Sequence, residues 1–441
     1  MPSPRALKTE TDVDQEQHGE DETTPVRRGL LVWLIHPGKV FRDSEFYGSV
    51  VRRPPTHLPG RATTPNVNFL FHVYPVRIPK KVLPLRATGR LGFISAFLFV
   101  ILTISGAYLM FFYRPQTPEA FFDMQAMGTS VAFGQLMRNV HRWSAQLMVV
   151  TVVIHMIRVF VSGAYRAPRQ FNWVIGIGLL LLTLFLSFTG YLLPWDQLAL
   201  WAVTVGTNIV GFAPLMGEQL RQALLGGVDV GSAALLRFYV LHIYVLPLMT
   251  VGLLGVHLWR IRKDGFAIAD REEDPDHDGK ASPDGDGAAR GSGRRYVRPQ
   301  VERVLAWPHL VVRHTVVAGA TLLVVLALGV LFDAPLQEMA NANLTPPVAK
   351  APWYFAGLQE LLSYMHPMVA GVIAPLAAVG FLACIPYLDK GSSWRFHDRK
   401  VVSILFVVVI AAAVILTIIG SFFRGPEWTW VWPWDHLYLE L

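Results

Sequence analysis

Apolar runs at roughly 91–113, 137–161, 171–193, 236–260, 309–332, 367–388 and 401–423 restrict this 441-residue chain more than any other feature. Crossing a hydrocarbon layer of about 30 Å takes about 20 helical residues, and within that layer only helices and closed barrels satisfy their own backbone. Runs of this length predict helices, so the expected fold class is all-α, a polytopic membrane protein of about seven transmembrane helices. Composition agrees: 52% of residues are hydrophobic and 16% charged, and the mean hydropathy is +0.38. Residues 1–28 are polar and lack an apolar h-region, so no cleavable signal is expected there.

The net charge of +7 follows the predicted topology. With a cytoplasmic N-terminus, segments 1–90, 162–170, 261–308 and 389–400 hold 14, 2, 9 and 4 Lys/Arg. The opposite loops hold only Arg114, Arg221, Lys350 and Arg424. This is the asymmetry of the positive-inside rule, and it makes a nucleic-acid partner unnecessary. A bacterial cytoplasmic (inner) membrane location is expected. The single Cys384 excludes an intrachain disulfide, a CxxCH haem attachment and a two-Cys, two-His iron–sulfur site. It reads as an inert membrane cysteine.

Four parts are expected: 1–90, a tail followed by an interfacial helix at 29–41; 91–263, four spans; 264–304, a linker rich in Asp, Gly and charge; and 305–441, three spans. The second span, RNVHRWSAQLMVVTVVIHMIRV, carries His141 and His155 fourteen residues apart, and the fourth carries His242 and His257 fifteen apart. At 3.6 residues per turn these intervals leave each pair about 40° and 60° apart around its helix, and about 21 Å apart along it. Both spans run in the same direction. His141 therefore meets His242 near the outer edge, and His155 meets His257 near the inner edge. Intramembrane ionisable groups default to function, and two bis-histidine rungs suit two b-type haems, each iron taking one imidazole from each helix.

Gly92 and Gly106 on the first span and Gly176 and Gly190 on the third repeat the interval of fourteen. They would make room for a flat macrocycle, although glycines also serve plain helix packing in membranes. Arg138 and Arg237 flank the outer rung, and Arg262 and Lys263 the inner one. They suit propionate counter-charges, and the latter two serve equally as topology determinants.

FYRPQTPEAF, RNVHRWSAQLMVV, GYLLPWDQLALWAV and LLRFYVLHIYVLPL resemble the cytochrome b subunit of Rieske/cytochrome b complexes. The fourteen intervening residues between the histidines of the fourth span and the PWDQ string look closest to the chloroplast and cyanobacterial type. ANLTPPVAKAPWYFAGLQELLSY and the spans after it resemble that type's separate three-helix subunit, here in the same chain. The resemblance covers about 90–263 and 305–423. It implies quinol oxidation at an outer site, one electron going to a Rieske iron–sulfur protein and the other through the outer to the inner haem. Quinone is then reduced near the inner side, with proton translocation. It also implies a c-type cytochrome partner and a homodimeric complex. The outer pocket is expected from Tyr191, Pro194, Trp195, the 198–225 segment, Trp353 and Tyr354.

Two departures from the family pattern matter. The family's Pro-Glu-Trp-Tyr is here Ala351-Pro352-Trp353-Tyr354, so the carboxylate expected to take the quinol proton is missing. Glu360 or a water chain would substitute, or Glu360 simply caps or solvates a loop helix. By family analogy the altered motif points to menaquinone. Arg90 stands where the chloroplast type has the cysteine of a covalent third haem, so that haem is expected to be absent. Glu427, among the tryptophans of PEWTWVWPWDH, reads as part of an interfacial aromatic belt. Two further readings share the histidine pattern: a di-haem membrane anchor of a dehydrogenase or hydrogenase, and a His-lined proton or metal transporter.

Overall fold

Proline and glycine punctuate an otherwise uninterrupted series of apolar segments, and several elements begin or end beside them. The computed structural model describes residues 75–267, 302–346, 349–390 and 393–434. The expected tail, the interfacial helix at 29–41 and most of the 264–304 linker lie outside the described residues. Seven helices have the length and apolarity to cross a membrane: α1 (Leu91–Met110), α3 (Gly134–Val161), α4 (Gln170–Tyr191), α7 (Ser232–Asp264), α8 (Ala306–Leu331), α10 (Met368–Leu388) and α11 (Lys400–Phe422). Between them lie α2 (Glu119–Thr129), α5 (Gln197–Gly211), α6 (Gly217–Leu225) and α9 (Trp353–Leu362). The amphipathic 198–225 segment is thus two helices, separated where Pro214 interrupts the pattern. A short antiparallel ladder pairs β1 (Arg77–Pro79) with β2 (Arg303–Leu305).

Two of the spans widen locally into a π turn, over Leu241–Val245 in α7 and over Met368–Ile373 in α10. Each turn is followed closely by a proline, Pro247 and Pro375. A proline cannot donate to the carbonyl four residues back and its ring crowds that carbonyl, so the helix opens by one residue ahead of it. The first of these turns contains His242. π turns of this kind are frequent at functional sites because they re-aim a side chain.

The front and back halves pack together within one compact unit. The end of the bundle near His141 is here the upper end, and the end near His155 the lower. At the upper end Tyr113, Phe121, Met127, Leu192, Trp195, Leu235 and Phe238 form one buried cluster. Midway, Leu98 and Ile101 of α1 and Val140 and Met148 of α3 enclose Val325 of α8. At the lower end Phe160 stacks on Phe406 at 3.7 Å, within a cluster that includes Trp173, Leu382 and Ile385.

Polar contacts then fix how the halves meet. Asn139 donates to Gly329 O and Asp333 Oδ1, both at 2.8 Å, and accepts from Ala334 N. The PWDQ string is a clasp of the same kind. Asp196 caps α5 by accepting from Ala199 N at 2.9 Å and also accepts from Gln337 N. Gln197 accepts from Asn341 N and donates to Asn341 O. At the lower end Arg166 pairs with Asp389 at 3.1 Å, and the Tyr165 hydroxyl donates to Asp389 at 2.5 Å. Arg399 donates to that hydroxyl at 2.6 Å and to the Phe160 and Val161 carbonyls. The Arg399 and Asp389 side chains are 1% and 4% exposed.

Removing one member of a buried ion cluster leaves the others uncompensated, at a cost of about 3–5 kcal/mol. Asp389→Asn, which removes the anion shared by Arg166 and Arg399, is therefore expected to lower the melting temperature of the detergent-solubilised protein clearly. Lys390→Gln, at the neighbouring position, is expected to leave it nearly unchanged. Parallel thermal melts check the contrast.

Candidate functional site

The upper histidine pair comes together across α3 and α7. His141 and His242 have ring centroids 6.2 Å apart with planes at 70°. A first-row metal sits about 2 Å from an imidazole nitrogen, and that nitrogen lies about 1 Å from its ring centre, so two axial imidazoles belong about 6 Å apart. The hydrogen bonds decide which nitrogens face the gap. His242 Nδ1 lies 3.1 Å from Leu186 O, and a carbonyl can only accept, so Nδ1 carries the proton. Ser105 Oγ donates to Ile101 O at 2.8 Å and lies 2.9 Å from His141 Nδ1. With its own proton committed, Ser105 accepts from His141 Nδ1. Both Nε2 lone pairs are left for a metal, the arrangement in which a second hydrogen bond fixes tautomer and ring orientation.

The lower pair, His155 and His257, comes from the same two helices. His257 Nδ1 makes no hydrogen bond of good geometry, and the Asn172 backbone is a polar neighbour of the ring. Among the described residues no group of three or more His, Cys, Asp or Glu forms a metal cage; the four span histidines occur as pairs.

Each expected glycine lies against one of these imidazoles. A Cβ on Gly92 would stand 3.2 Å from His155 Cε1, on Gly106 3.1 Å from His141 Cε1, on Gly176 3.7 Å from His257 Cε1, and on Gly190 2.6 Å from His242 Cε1. Helices α1 and α4 thus back the two rungs at the depths that the interval of fourteen implied, and the missing side chains leave space beside the rings. The upper pair, with free Nε2 atoms and glycine beside each ring, is a donor set that fits a flat haem.

The arginines are less uniform. Arg138 donates to Pro335 O at 2.7 Å, and the Arg237 guanidinium covers Gly226, where a Cβ would collide with it. Arg262 lies in the last turn of α7, and Lys263 Nζ sits 5.1 Å over the Trp259 ring.

Several of the aromatic residues expected at the outer pocket lie near one another, next to α3 and α4. α9 begins at Trp353, directly after Pro352, whose fixed φ and missing donor suit a helix start. Trp353 donates its indole N–H to Gln146 Oε1 at 2.5 Å, its ring meets Tyr354 edge-on at 5.4 Å, and Phe355 meets Phe188 of α4. Tyr191, at the end of α4, has Tyr354, Asp196 and Arg142 as electrostatic neighbours. Burial pushes the Tyr354 hydroxyl up to about 12, partly offset by Arg142 and Ser187. Asp196, further out, is raised by burial against its backbone hydrogen bonds. Sequence reasoning missed Ser105, Leu186, Gln146, Ser187 and Arg142. Arg142 had a legible signal, being a charged residue next to a span histidine; the others are chosen by helix packing alone. An open cavity of 620 Å³ lined by Phe121, Gln125, Gln197, Gln337, Glu338 and Pro346 lies beside the PWDQ clasp, apart from Trp353 and Tyr354.

Glu360 is fully buried and engaged on both oxygens. Oε1 accepts from Arg424 Nη2 at 2.6 Å and from the Tyr364 hydroxyl at 2.5 Å; Oε2 accepts from Arg424 Nε at 2.9 Å and Trp428 Nε1 at 3.0 Å. Of the two readings the sequence allowed, this geometry favours the structural one. Arg90, where a covalent haem would need cysteine, is buried, donates to Leu83 O at 2.5 Å and lies 3.4 Å from His314 Nε2. Cys384 is free and exposed.

The glycine spacings grade an expected outcome. Gly190→Ala, whose Cβ would overlap the His242 ring, is expected to weaken the upper pair's haem absorbance, whereas Gly176→Ala, at ordinary contact distance, leaves the lower pair's intact. Difference spectra of the two variants check it.

Comparison with known proteins agrees with this geometry. Residues 81–265 match the family "Cytochrome b/b6/petB" and residues 339–438 match "Cytochrome b(C-terminal)/b6/petD". Cytochrome b6 of Heliobacterium modesticaldum is 42% identical over 177 residues, covering 40% of this chain and 83% of that protein. Cytochrome b6 of Porphyra purpurea is 40% identical over 190 residues, covering 43% and 87%. A solved "Hyperthermophilic respiratory Complex III" shares the fold, with a TM-score of 0.64 at 23% identity over 80% of this chain and 87% of that one. The chain belongs to the cytochrome b/b6 family, with the b6-type part and the C-terminal part fused in one polypeptide, and is a subunit of a quinol oxidoreductase complex.

Proposed function

We propose that this chain is the di-haem subunit of a quinol:cytochrome c-type oxidoreductase in a bacterial cytoplasmic membrane. The upper end faces outward, as the Lys/Arg asymmetry indicates, and the N-terminus is cytoplasmic. Quinol, with menaquinone favoured by the altered acid motif, is oxidised at the upper pocket. Its electrons go to a Rieske iron–sulfur partner, which serves a c-type cytochrome, and across the membrane, coupled to proton translocation. The whole complex is a homodimer.

The observation that carries this reading is the upper histidine pair, with ring centroids 6.2 Å apart and each Nδ1 occupied by a neighbouring helix. Haem b bound at each pair supplies a one-electron carrier at each depth of the membrane. The chain's own residues set the ligand tautomers, and the glycines of α1 and α4 leave space beside the imidazoles. At the pocket, Trp353, Tyr354 and Tyr191 provide flat apolar faces and hydroxyl donors suited to a quinol ring. With Glu360 committed to Arg424, the quinol proton leaves by a water chain. At the lower end, Arg90 and His314, the latter stacked on Phe93 at 4.1 Å, give a basic, aromatic edge that suits quinone reduction. Arg90 also fills the position that a covalent third haem would require.

The purified complex is expected to show a reduced-minus-oxidised b-type spectrum from two haems of different potential. His242→Leu removes the upper component and spares the lower; a wild-type complex with no b-type band at all would sink the proposal. Tyr354→Leu is expected to lower kcat/KM for a quinol analogue about tenfold, equivalent to about 1.4 kcal/mol of transition-state stabilisation, with both haem bands retained.

A further inference from the structure

Glu360 is the most completely enclosed carboxylate among the described residues, and its partners come from two directions. Tyr364 lies one helical turn further along the chain. Arg424 and Trp428 belong to the segment that follows α11. That segment folds back on itself: Val431 N donates to Phe423 O and Gly425 N to Thr429 O, and Arg424 and Trp430 pair as an isolated bridge. At its tip Glu427 and Trp428 adopt φ of 53° and 61°. Left-handed backbone is costly for residues other than glycine and persists where surroundings over-determine it. Here the restraints are the Trp428 indole bonded to Glu360 Oε2 and the Trp428 carbonyl accepting from Arg424 Nη1.

The other end of α9 carries Trp353 and Tyr354. Between the two ends α9 packs closely on α11. A Cβ on Gly357 would meet Thr417 Oγ1 at 2.7 Å, and one on Gly420 would meet Ala356 O at 2.6 Å, so α9 and α11 touch backbone to backbone. Gln359, beside Glu360, accepts from Ala351 N and donates to Ala349 O at 2.7 Å each, which holds the turn ahead of Pro352. Lys350 Nζ reaches Ser421 O at 3.1 Å.

We propose that Glu360 is a positioning residue: with Arg424 and Trp428 it locks the C-terminal hairpin onto α9 and so fixes Trp353 and Tyr354 for quinol binding. The C-terminal hairpin is thereby part of the quinol pocket, although none of its residues enters the expected pocket motif. Burial alone would raise the Glu360 carboxyl, but the Arg424 ion pair and the hydrogen bonds from Tyr364 and Trp428 outweigh it and hold it below the usual range. A carboxyl depressed in this way keeps its charge, and the lock its strength, above the ordinary carboxylate range. The lock opens only as pH falls through the depressed pKa. It therefore does not titrate where turnover is measured.

The inference rests on the quinol-oxidase reading, and the test separates the two. Glu360→Gln, Arg424→Gln and the double variant are prepared in the whole complex, with b-type spectra confirming assembly. KM and kcat for a short-chain quinol analogue are measured across pH, and hydrogen exchange of the 423–431 hairpin is followed by mass spectrometry. Each single variant is expected to raise KM about tenfold with a smaller change in kcat, and the double variant to cost no more than either single one, because contacting partners are non-additive. The pH profile keeps its midpoints, and the hairpin amides exchange faster. A shifted pH midpoint in Glu360→Gln, with Arg424→Gln silent, would overturn the proposal and make Glu360 the proton acceptor. Wild-type kinetics in both single variants would overturn it too. A wild-type complex that fails to oxidise quinol removes the functional reading, while faster hairpin exchange in the variants still reports the lock.

Discussion

Placing an imidazole in hydrocarbon is unfavourable unless both nitrogens are used, and the upper part of the bundle is arranged around that requirement. At the upper rung, α1 and α4 supply what α3 and α7 need. Ser105 and the Leu186 carbonyl take the Nδ1 protons, and Gly106 and Gly190 bring their helices against the rings. The π turn at Leu241–Val245 sits where His242 must face His141. The two outer helices thus lie against the histidine rings of the inner two, and the sequence spacing of glycines repeats that of histidines because both are set by the same two depths. A lone His in such a bundle would be a satisfied polar residue; the facing upper pair, with both Nδ1 atoms engaged and both Nε2 atoms open, is a donor set suited to a metal.

The fusion of two parts in one chain does not by itself make them pack. That is done by polar clasps at both ends: Asn139 to the end of α8, Asp196 and Gln197 to the 333–346 loop, and Asp389 and Arg399 to the end of α3. These contacts place α9 beside α4 and bring Tyr354 within electrostatic reach of Tyr191. The PWDQ string, which carried much of the family resemblance, has a structural reason in this chain. Its Asp caps a helix and its Gln holds a loop from the other half. The residues that carry the family resemblance are therefore also residues that join the two halves.

The pocket motif shows where pattern reading reached its end. Ala351-Pro352-Trp353-Tyr354 announces the absence of an acid, and the nearest acid in sequence, Glu360, invites substitution into the vacant role. The structure spends that carboxylate on Arg424, Tyr364 and Trp428. Sequence distance along α9 was a poor guide, because Glu360 faces α11 and the C-terminal hairpin, near the far end of the helix from Trp353. PEWTWVWPWDH reads as an aromatic belt, and in it Trp430 meets Trp432 edge-on and Trp432 stacks on Trp434. Trp428 is the exception, with its indole turned inward to the carboxylate.

What the sequence determined by itself was everything governed by helical periodicity and solvent: the spans, the histidine intervals that place pairs at two depths, and the glycines at matching depths. These follow from a rise of about 1.5 Å and a turn of about 100° per residue, and from a solvent that tolerates few other structures. What only the tertiary structure decided was which polar groups meet across helices. Whether His141 gives its Nδ1 proton to Ser105, whether Gln146 reaches Trp353, and whether Glu360 is a base or an anchor depend on the rotation and tilt of separate helices. Those are fixed by packing between residues that can be more than two hundred positions apart, as with Trp353 and Gln146 at a separation of 207 and Arg399 and Phe160 at 239, and no local pattern encodes them.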